Sequence, residues 1–228
     1  KPGTFEFTSL PNLGFEKGRK MSFKGDIGCL GVHPRSRTIM MTKDYGKTWT
    51  KITKGIAAMH FTRCLRADKK RPGLLYCGTE YGMYISYDDG ANWKPFQLNL
   101  PMVSITDLTI KENDLVVATQ GRAFWVLDDL TMVQQKDNNI LDKKLFAYPV
   151  NDVYRYDGYQ NPKPVNAGMN PPNGPVINYY IKNVSDSTNV EMEVMDKHKK
   201  IIKTSSTNAT EKNDKLHVSP GMNRLVWK

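Results

Sequence analysis

Cysteine and histidine are scarce in this sequence, and neither follows the spacing of a metal site or a disulfide framework. The 228 residues include 3 cysteines and 4 histidines. Cys29, Cys64 and Cys77 are odd in number and lack the Cys-x-x-Cys spacing of zinc and redox sites. Because Cys64 and Cys77 lie in neighbouring apolar runs, we expect buried free thiols. The pattern predicts no metal site and no cofactor.

Long apolar runs are also missing. No run approaches the ~18 residues of a membrane span, so we expect no transmembrane segment. The start, Lys1–Thr4, lacks the pattern of a signal peptide. With 39% apolar residues, 17 Gly and 13 Pro, the composition does not fit collagen-like, coiled-coil or wholly disordered chains. A globular chain rich in turns remains.

The charge is strongly positive but spread along the chain. The formal charge of +10 permits nucleic acid or other polyanions as partners. No RRM, KH or helix-turn-helix pattern accompanies it, so we expect no nucleic-acid partner. The densest cluster, Lys197–Lys200, lies between two alternating runs and is predicted to form a hairpin tip.

An internal repeat is the most informative feature of the sequence. Its shared frame is hydroxyl-x-Asp-x-Gly-x-polar-Trp, and its residues are Thr42, Asp44, Gly46, Thr48 and Trp49 in the first copy and Ser86, Asp88, Gly90, Asn92 and Trp93 in the second. The Asp can accept backbone hydrogen bonds in a turn, the Gly supplies a positive φ, and the Trp opens the next strand. We call these the two Asp-Gly-Trp turns and expect them to be structural, with both tryptophans equally buried.

A second repeat overlaps the first. Residues 75–89 match residues 115–129 with one residue skipped, and Tyr84-Ile85 is aligned to Phe124-Trp125. Both read as strand, tight turn at Gly, strand. Short runs divided by Gly, Pro and Asp, with a period in the ~40–45 residue range of a four-stranded unit, predict an all-β chain of β-propeller blades.

Residues 38–130 resemble the Asp-box (BNR) β-propellers of the sortilin and sialidase type. The likeness is closest to the bacterial sortilin-like proteins labelled as glycosyl hydrolase family, whose final blades carry stretches such as TKDYGKTWTKI and NDLVVATQGRAFWVLDDL in this order. Gln120 stands where that group has a His. The resemblance implies the last blades of a larger propeller, and we expect residues 1–135 to form them.

The second half has a different pattern. Residues 136–173, rich in Pro and Tyr, are predicted to be a linker. Residues 174–228 resemble the start of the Ig-like β-sandwich that follows the propeller in the same family, although such a sandwich usually needs about seven strands. Five strands are predicted, at 176–182, 190–195, 201–205, 216–218 and 224–227. Their alternation predicts one core that contains Tyr179, Ile181, Met192, Val194, Leu225 and Trp227.

Two classes of function remain open. We expect a non-catalytic binding or scaffolding segment of a larger secreted or cell-surface protein, and the chain alone is expected not to be an enzyme. The alternative is a fragment of a glycoside hydrolase, sialidase-like or otherwise glycan-acting, whose catalytic residues lie mostly elsewhere; no catalytic residue is assigned here. Candidates for a binding face are Glu80, Tyr81, Asp107 and Arg122.

The partners and location follow from the resemblance. We expect a protein or peptide partner, with glycan as a further class, and contact with the remaining blades of the parent protein or with a partner chain. About three blades are too few for a closed ring. The location is expected to be extracytoplasmic: periplasm, cell surface or secreted. Asn183-Val-Ser185 and Asn208-Ala-Thr210 match the glycosylation pattern, which has meaning in a eukaryotic source.

Overall fold

The regular structure of the described residues is nearly all β, in several antiparallel sheets, as the sequence predicts. A computed structural model describes residues 4–6, 20–22, 29–33, 36–136, 139–153, 174–185, 188–211 and 214–227. Contacts between residues divide it into two units, Lys1–Leu130 and Thr131–Lys228. The predicted propeller segment, residues 1–135, ends five residues after the first of these units.

The first unit is built of short strands in chain order. They are β1 (Thr4–Glu6), β2 (Lys20–Ser22), β3 (Cys29–Val32), β4 (Ile39–Thr42), β5 (Thr50–Lys51), β6 (Thr62–Ala67), β7 (Leu75–Thr79), β8 (Gly82–Ser86), β9 (Lys94–Pro95), β10 (Ile105–Lys111), β11 (Asp114–Thr119) and β12 (Phe124–Leu127). Apart from the hairpin β1-β2, they form three sheets in which each strand pairs with the next: β3-β4-β5, β6-β7-β8-β9 and β10-β11-β12. We call them the first, second and third sheets.

The second sheet lies between the other two. Its first strand, β6, contacts both β3 and β10, so the three sheets stack in chain order. This position explains why β7 and β8 are buried at every residue and read as continuous apolar runs. The close packing of β7 also leaves no room for a side chain at Gly78, because a Cβ there would lie 2.5 Å from the Sγ of Cys64. Strand β12, by contrast, alternates between exposed and half-buried residues.

The main core fills the space between the first and second sheets. Its buried members are Ile39, Ile52, Leu65, Leu75, Cys77, Tyr84 and Trp93. Burial of a large apolar side chain contributes about 1.5–3 kcal/mol, so this cluster is a major source of stability for the unit. Both cysteines predicted to be buried, Cys64 and Cys77, are buried and free of disulfides.

The pairing of strands in the second and third sheets shifts the alignment of the second repeat by one residue. The repeat aligns Tyr84 with Phe124, but Tyr84 pairs with Cys77 in the second sheet and Trp125 pairs with the corresponding Val117 in the third. The turn between β11 and β12 is longer than the one between β7 and β8, which shifts the register by one residue. Trp125 is therefore the structural equivalent of Tyr84.

The second unit begins with short elements that include part of the predicted linker. They are α1 (Thr131–Gln134), a 3₁₀ turn (Ile140–Asp142) and β13 (Leu145–Ala147), followed by β14 (Val176–Ile181), β15 (Glu191–Met195), β16 (Ile201–Ser206) and β17 (Gly221–Val226). Strands β13, β14 and β17 form one sheet, and β15 pairs with β16. Residues 145–147 of the predicted linker thus belong to a sheet.

The core of the second unit differs in part from the predicted one. Tyr179, Ile181 and Leu216 are buried, and Met192 and Leu225 pack against them. The prediction was wrong for two residues, since Val194 and Trp227 are half-exposed and lie outside this cluster. Residues 216–218 form no strand either, because pairing there is limited to a single bridge between Lys215 and Ser206.

The basic cluster Lys197–Lys200 forms the tip of the β15-β16 hairpin, as predicted. The carboxylate of Asp196 accepts hydrogen bonds from the backbone N–H groups of His198 and Lys200, at 2.8 and 2.9 Å. These bonds close the turn and leave the lysines in solvent. The positive charge here is therefore part of a solvated loop.

Candidate functional site

The two Asp-Gly-Trp turns are built with the same hydrogen bonds. Asp44 accepts bonds from the N–H and hydroxyl of Thr48, at 2.8 and 2.6 Å. Asp88 accepts bonds from the N–H and the side-chain amide of Asn92, both at 2.8 Å. Each aspartate thus holds the residue four positions ahead and fixes the reversal of the chain.

The hydroxyl and the glycine of each turn complete the same loop. Thr42 Oγ1 accepts a hydrogen bond from the N–H of Gly46, and Ser86 Oγ accepts one from Gly90, both at 2.9 Å. The glycines have φ values of 87° and 84°, in the left-handed region that favours glycine. The hydroxyls also donate to the carboxylates of Asp44 and Asp88 at 2.8 Å.

The two tryptophans are not equivalent, so that part of the prediction was wrong. Trp93 is 3% exposed and its Nε1 donates to the carbonyl of Ile52 in the first sheet. Trp49 is half-buried, and its Nε1 donates to Gly46 within its own turn at 3.2 Å. Trp93 therefore reaches across to the neighbouring sheet, and its ring is the more deeply buried of the two.

The turn aspartates are held as carboxylates. The hydroxyl and N–H of Thr48, with the hydroxyl of Thr42, lower the pKa of Asp44 to about 2. Partial burial opposes ionisation of Asp88, but the bonds from Asn92 and Ser86 outweigh it and its pKa is also lowered. Their oxygens are occupied by their own loop, and both turns lie at the end of a sheet opposite to Glu80. Their chemistry is that of a folding device.

The opposite end of the sheets carries the other candidates. Glu80 and Tyr81 form the turn between β7 and β8. The Nε of Arg63, at the start of β6, lies 2.7 Å from Glu80 Oε1, and each side chain keeps a little over a quarter of its surface exposed. The hydrogen bond from Arg63, with the charges of Arg63 and Arg37, lowers the pKa of Glu80. Glu80 is therefore a paired carboxylate at neutral pH.

Asp107 lies on a strand and not on that turn. Arg66 Nη2 is 2.6 Å from Asp107 Oδ1, which joins strand β6 of the second sheet to strand β10 of the third. The same oxygen accepts a hydrogen bond from the N–H of Leu108 at 2.8 Å. The structure thus gives Glu80 and Asp107 separate arginine partners.

A histidine that the sequence did not indicate lies beside Tyr81. The rings of His60 and Tyr81 are 5.1 Å apart, and the hydroxyl of Tyr84 lies 2.8 Å from His60 Nδ1. His60 precedes β6, whereas Tyr81 lies in the β7-β8 turn and Tyr84 lies in β8. No local pattern reports this contact, because it depends on the pairing of β6 with β7.

Arg122 stands apart from these residues. It lies in the exposed turn between β11 and β12, where its carbonyl accepts a hydrogen bond from Trp125 Nε1 at 2.9 Å. Within the described part of the chain its guanidinium has no ion-pair partner. It is available to a ligand but is not joined to Glu80.

Large exposed apolar side chains lie on the loops that meet the turn carrying Glu80. Met59, Phe61, Tyr81 and Met102 are 70%, 45%, 52% and 62% exposed. The N–H of Glu80 donates to the carbonyl of Phe61 at 3.0 Å, and that of Gly82 donates to Val103, so the loops before β6 and β10 meet the β7-β8 turn. We call the surface formed by Met59, Phe61, Tyr81, Met102 and the Arg63–Glu80 pair the turn face.

The remaining features of the described residues are negative findings. They contain no group of histidine, cysteine and acidic side chains that could hold a metal ion. They also contain no helix with the length and hydropathy to cross a membrane. Neither protein-family models nor curated proteins give a match to this sequence.

Proposed function

We propose that this chain is a non-catalytic binding or scaffolding segment of a larger secreted or cell-surface protein. The first unit would supply blades of an Asp-box β-propeller of the sortilin-like class, and the second unit the start of an Ig-like sandwich. The partner would be a protein or a peptide that binds the turn face.

The observation that carries this proposal is the composition of the turn face. Exposed aromatic residues, methionine and arginine are the types enriched in protein interfaces. Here Phe61, Tyr81, Met59 and Met102 are exposed on the turn and loops next to an ion pair that is partly protected from water. Scattered exposed apolar residues are ordinary, but a group of this size around a paired charge favours recognition of another polypeptide.

The state of the carboxylates argues against catalysis by this chain alone. A retaining or inverting glycosidase uses two carboxyl groups, one of which must be protonated to act as an acid. Glu80 is paired with Arg63 and its pKa is lowered, and Asp107 is paired with Arg66. The glycoside hydrolase alternative would therefore need acids that lie elsewhere in a parent protein.

The placement outside the cytoplasm is part of the same proposal. It is motivated by the resemblance to secreted Asp-box proteins. Asn183 and Asn208, the acceptor residues of both sequons, are exposed. Expression in a eukaryotic secretory host, with mass spectrometry of the two peptides, tests whether these sites are usable, and Asn183→Gln with Asn208→Gln is the matched control.

A displayed random peptide library provides the direct test of binding. Selection against the chain should yield peptides that bind it and lose affinity for a Phe61→Ser, Tyr81→Ser variant. Both side chains are about half-exposed, so the variant should keep its fold, which far-UV circular dichroism checks. Peptides that bind both proteins equally, or hydrolysis of a sialoside or glycoside that Glu80→Gln abolishes, would contradict the proposal.

A further inference from the structure

The third sheet has one strand fewer than the second. The second sheet ends with β9, which pairs with β8, whereas the described part of the third sheet ends with β12. After β12 the chain passes through Asp128–Leu130 and enters helix α1. Among the described residues, the outer edge of β12 therefore has no strand beside it.

An apolar groove runs along this edge. Its walls include Met83, Phe96, Leu115, Val117 and Trp125, which belong to the second and third sheets. Leu98, 66% exposed, lies at its mouth. An open apolar groove next to an unpaired strand edge is the setting in which a further strand can add.

The walls of the groove have counterparts in the main core. Ile52 donates its N–H to the carbonyl of Ile39 at 3.0 Å, and Phe96 does the same to Met83 at 2.8 Å. Met83 and Phe96 thus occupy, one sheet further on, the positions of Ile39 and Ile52.

The wall of the groove formed by the third sheet also has counterparts in the main core. Cys77 pairs with Tyr84 in the second sheet, and Val117 pairs with Trp125 in the third. All four positions face the preceding sheet. The groove is therefore built like the space that Trp93 fills between the first and second sheets.

Trp93 has no counterpart at the groove. Beside Trp93, Ile52 is 7% and Tyr84 is 5% exposed, whereas their counterparts Phe96 and Trp125 are half-buried. The deeper walls, Met83 and Val117, are buried at the groove as well. The residues that follow β12, Leu130–Gln135, include no tryptophan. Trp125, a wall residue, is the one tryptophan among the residues that line the groove.

We propose that the groove accepts a strand from a separate polypeptide, whose tryptophan enters it as Trp93 enters the main core. The strand would pair antiparallel with β12 and complete the third sheet. A basic residue should lie one or two positions after the tryptophan, as Lys94 and Lys51 do in this chain. The exposed carboxylate of Asp128, just beyond β12, complements that charge.

The backbone of β12 is oriented for this pairing. Because the carbonyl of Met83 accepts from Phe96, Met83 and the alternate residue Ile85 direct their backbone groups toward the fourth strand. Their equivalents in β12 are Phe124 and Val126. The N–H and C=O of Val126 therefore point to the free edge. This surface is separate from the turn face, so the proposal stands apart from the proposed function.

A peptide taken from this chain provides the probe. Residues 47–54, KTWTKITK, labelled with fluorescein, are titrated with the full chain and followed by fluorescence anisotropy. We expect saturable binding, and at least about tenfold weaker binding when the peptide's tryptophan is replaced by alanine, because each ~1.4 kcal/mol of lost burial is a factor of ten. Equal affinity for the two peptides, or no saturation, would overturn the proposal.

Three variants of the chain locate the binding. Leu98→Glu places a charge at the mouth of the groove, and Val126→Pro removes an outward N–H from an edge strand, where proline is tolerated. Both should weaken the peptide at least about tenfold. Phe124→Ala changes the opposite face of β12, where Phe124 is 77% exposed, and should leave affinity unchanged.

Circular dichroism tests whether each variant is folded. If Val126→Pro does not fold, the affinity of Leu98→Glu for the peptide tests the proposal. Unchanged affinity in Leu98→Glu would overturn the proposal. So would sedimentation data in which the parent chain dimerises and Leu98→Glu is monomeric, because the occupant would then be a second copy of this chain.

Discussion

The indole Nε1 of Trp93 donates a hydrogen bond of 2.7 Å to the carbonyl oxygen of Ile52, and this bond ties the second sheet to the first. The backbone N–H of Trp93 adds a second link, to the carbonyl of Lys54 at 2.8 Å. The ring itself is buried among side chains of both sheets. One residue thus closes the space between two sheets by packing and by hydrogen bonding.

Replacing Trp93 should cost far more stability than replacing Trp49. Trp93→Ala removes a buried ring and leaves a cavity, so we expect a loss of about 3–5 kcal/mol in the free energy of unfolding. Trp49 is half-buried, and Trp49→Ala should cost clearly less. Urea denaturation of the two variants makes the comparison. Equal losses would contradict the assigned difference in burial.

Gly90 and Gly121 allow steric contact to be separated from backbone strain. Both have positive φ, 84° and 80°, so alanine at either position costs about 1–2 kcal/mol of strain. A Cβ at Gly90 would also lie 2.4 Å from Ile52 Cδ1, whereas a Cβ at Gly121 meets nothing within 4 Å. Gly90→Ala should therefore have the lower melting temperature. A lower melting temperature for Gly121→Ala would show that the side chain of Ile52 moves aside without a measurable loss of stability.

The carboxylate of Asp44 makes stability depend on pH in the acid range. Its pKa is lowered from 3.8 to about 2, so its stabilising effect is present above pH 4 and is lost as the pH falls through about 2. The difference in melting temperature between the parent and Asp44→Asn should narrow over this window. Thr48→Val removes the hydroxyl but keeps the N–H. The difference in melting temperature between the parent and Thr48→Val should therefore narrow less over the same pH window. A difference that is constant with pH would refute the role of these hydrogen bonds.

The thiols of Cys64 and Cys77 should be protected until the fold opens. Both are buried, and burial, with the neighbouring Cys64, raises the pKa of Cys77 well above its ordinary value. In a Cys29→Ser background, a thiol reagent such as DTNB should react slowly with the native chain and rapidly with both thiols in urea. Rapid reaction of either thiol in the native chain would contradict the burial.

The sequence predicts the local parts of this fold well. Each Asp-Gly-Trp turn is specified within eight residues, so its hydrogen bonds follow from the residue types alone. Strands β7 and β8 of the second sheet also follow, because they are largely apolar runs between turn residues. The one-residue shift that makes Trp125 the equivalent of Tyr84 depends on the length of a turn, which the residue pattern did not specify.

Contacts between distant segments were not predictable in the same way. Arg63 meets Glu80, and His60 meets Tyr81, only because β6 pairs with β7. Trp49 and Trp93 share a motif, yet their burial differs, because burial depends on contacts outside the motif. The sequence identified the turn carrying Glu80 and Tyr81 but not the side chains that surround it.

The bond from Trp93 to Ile52 also means that one sheet and its half of the main core do not correspond to the same stretch of sequence. The core beside the first sheet is completed by a residue of the second, so a cut between Lys51 and Thr62 separates Ile39 from Trp93 and divides the main core. A gene duplication that copied one sheet alone would leave a gap at one junction and a surplus tryptophan at the other. The segment that can be added or lost without such damage runs from one tryptophan to the next. New members of such an array would be expected to enter in that frame.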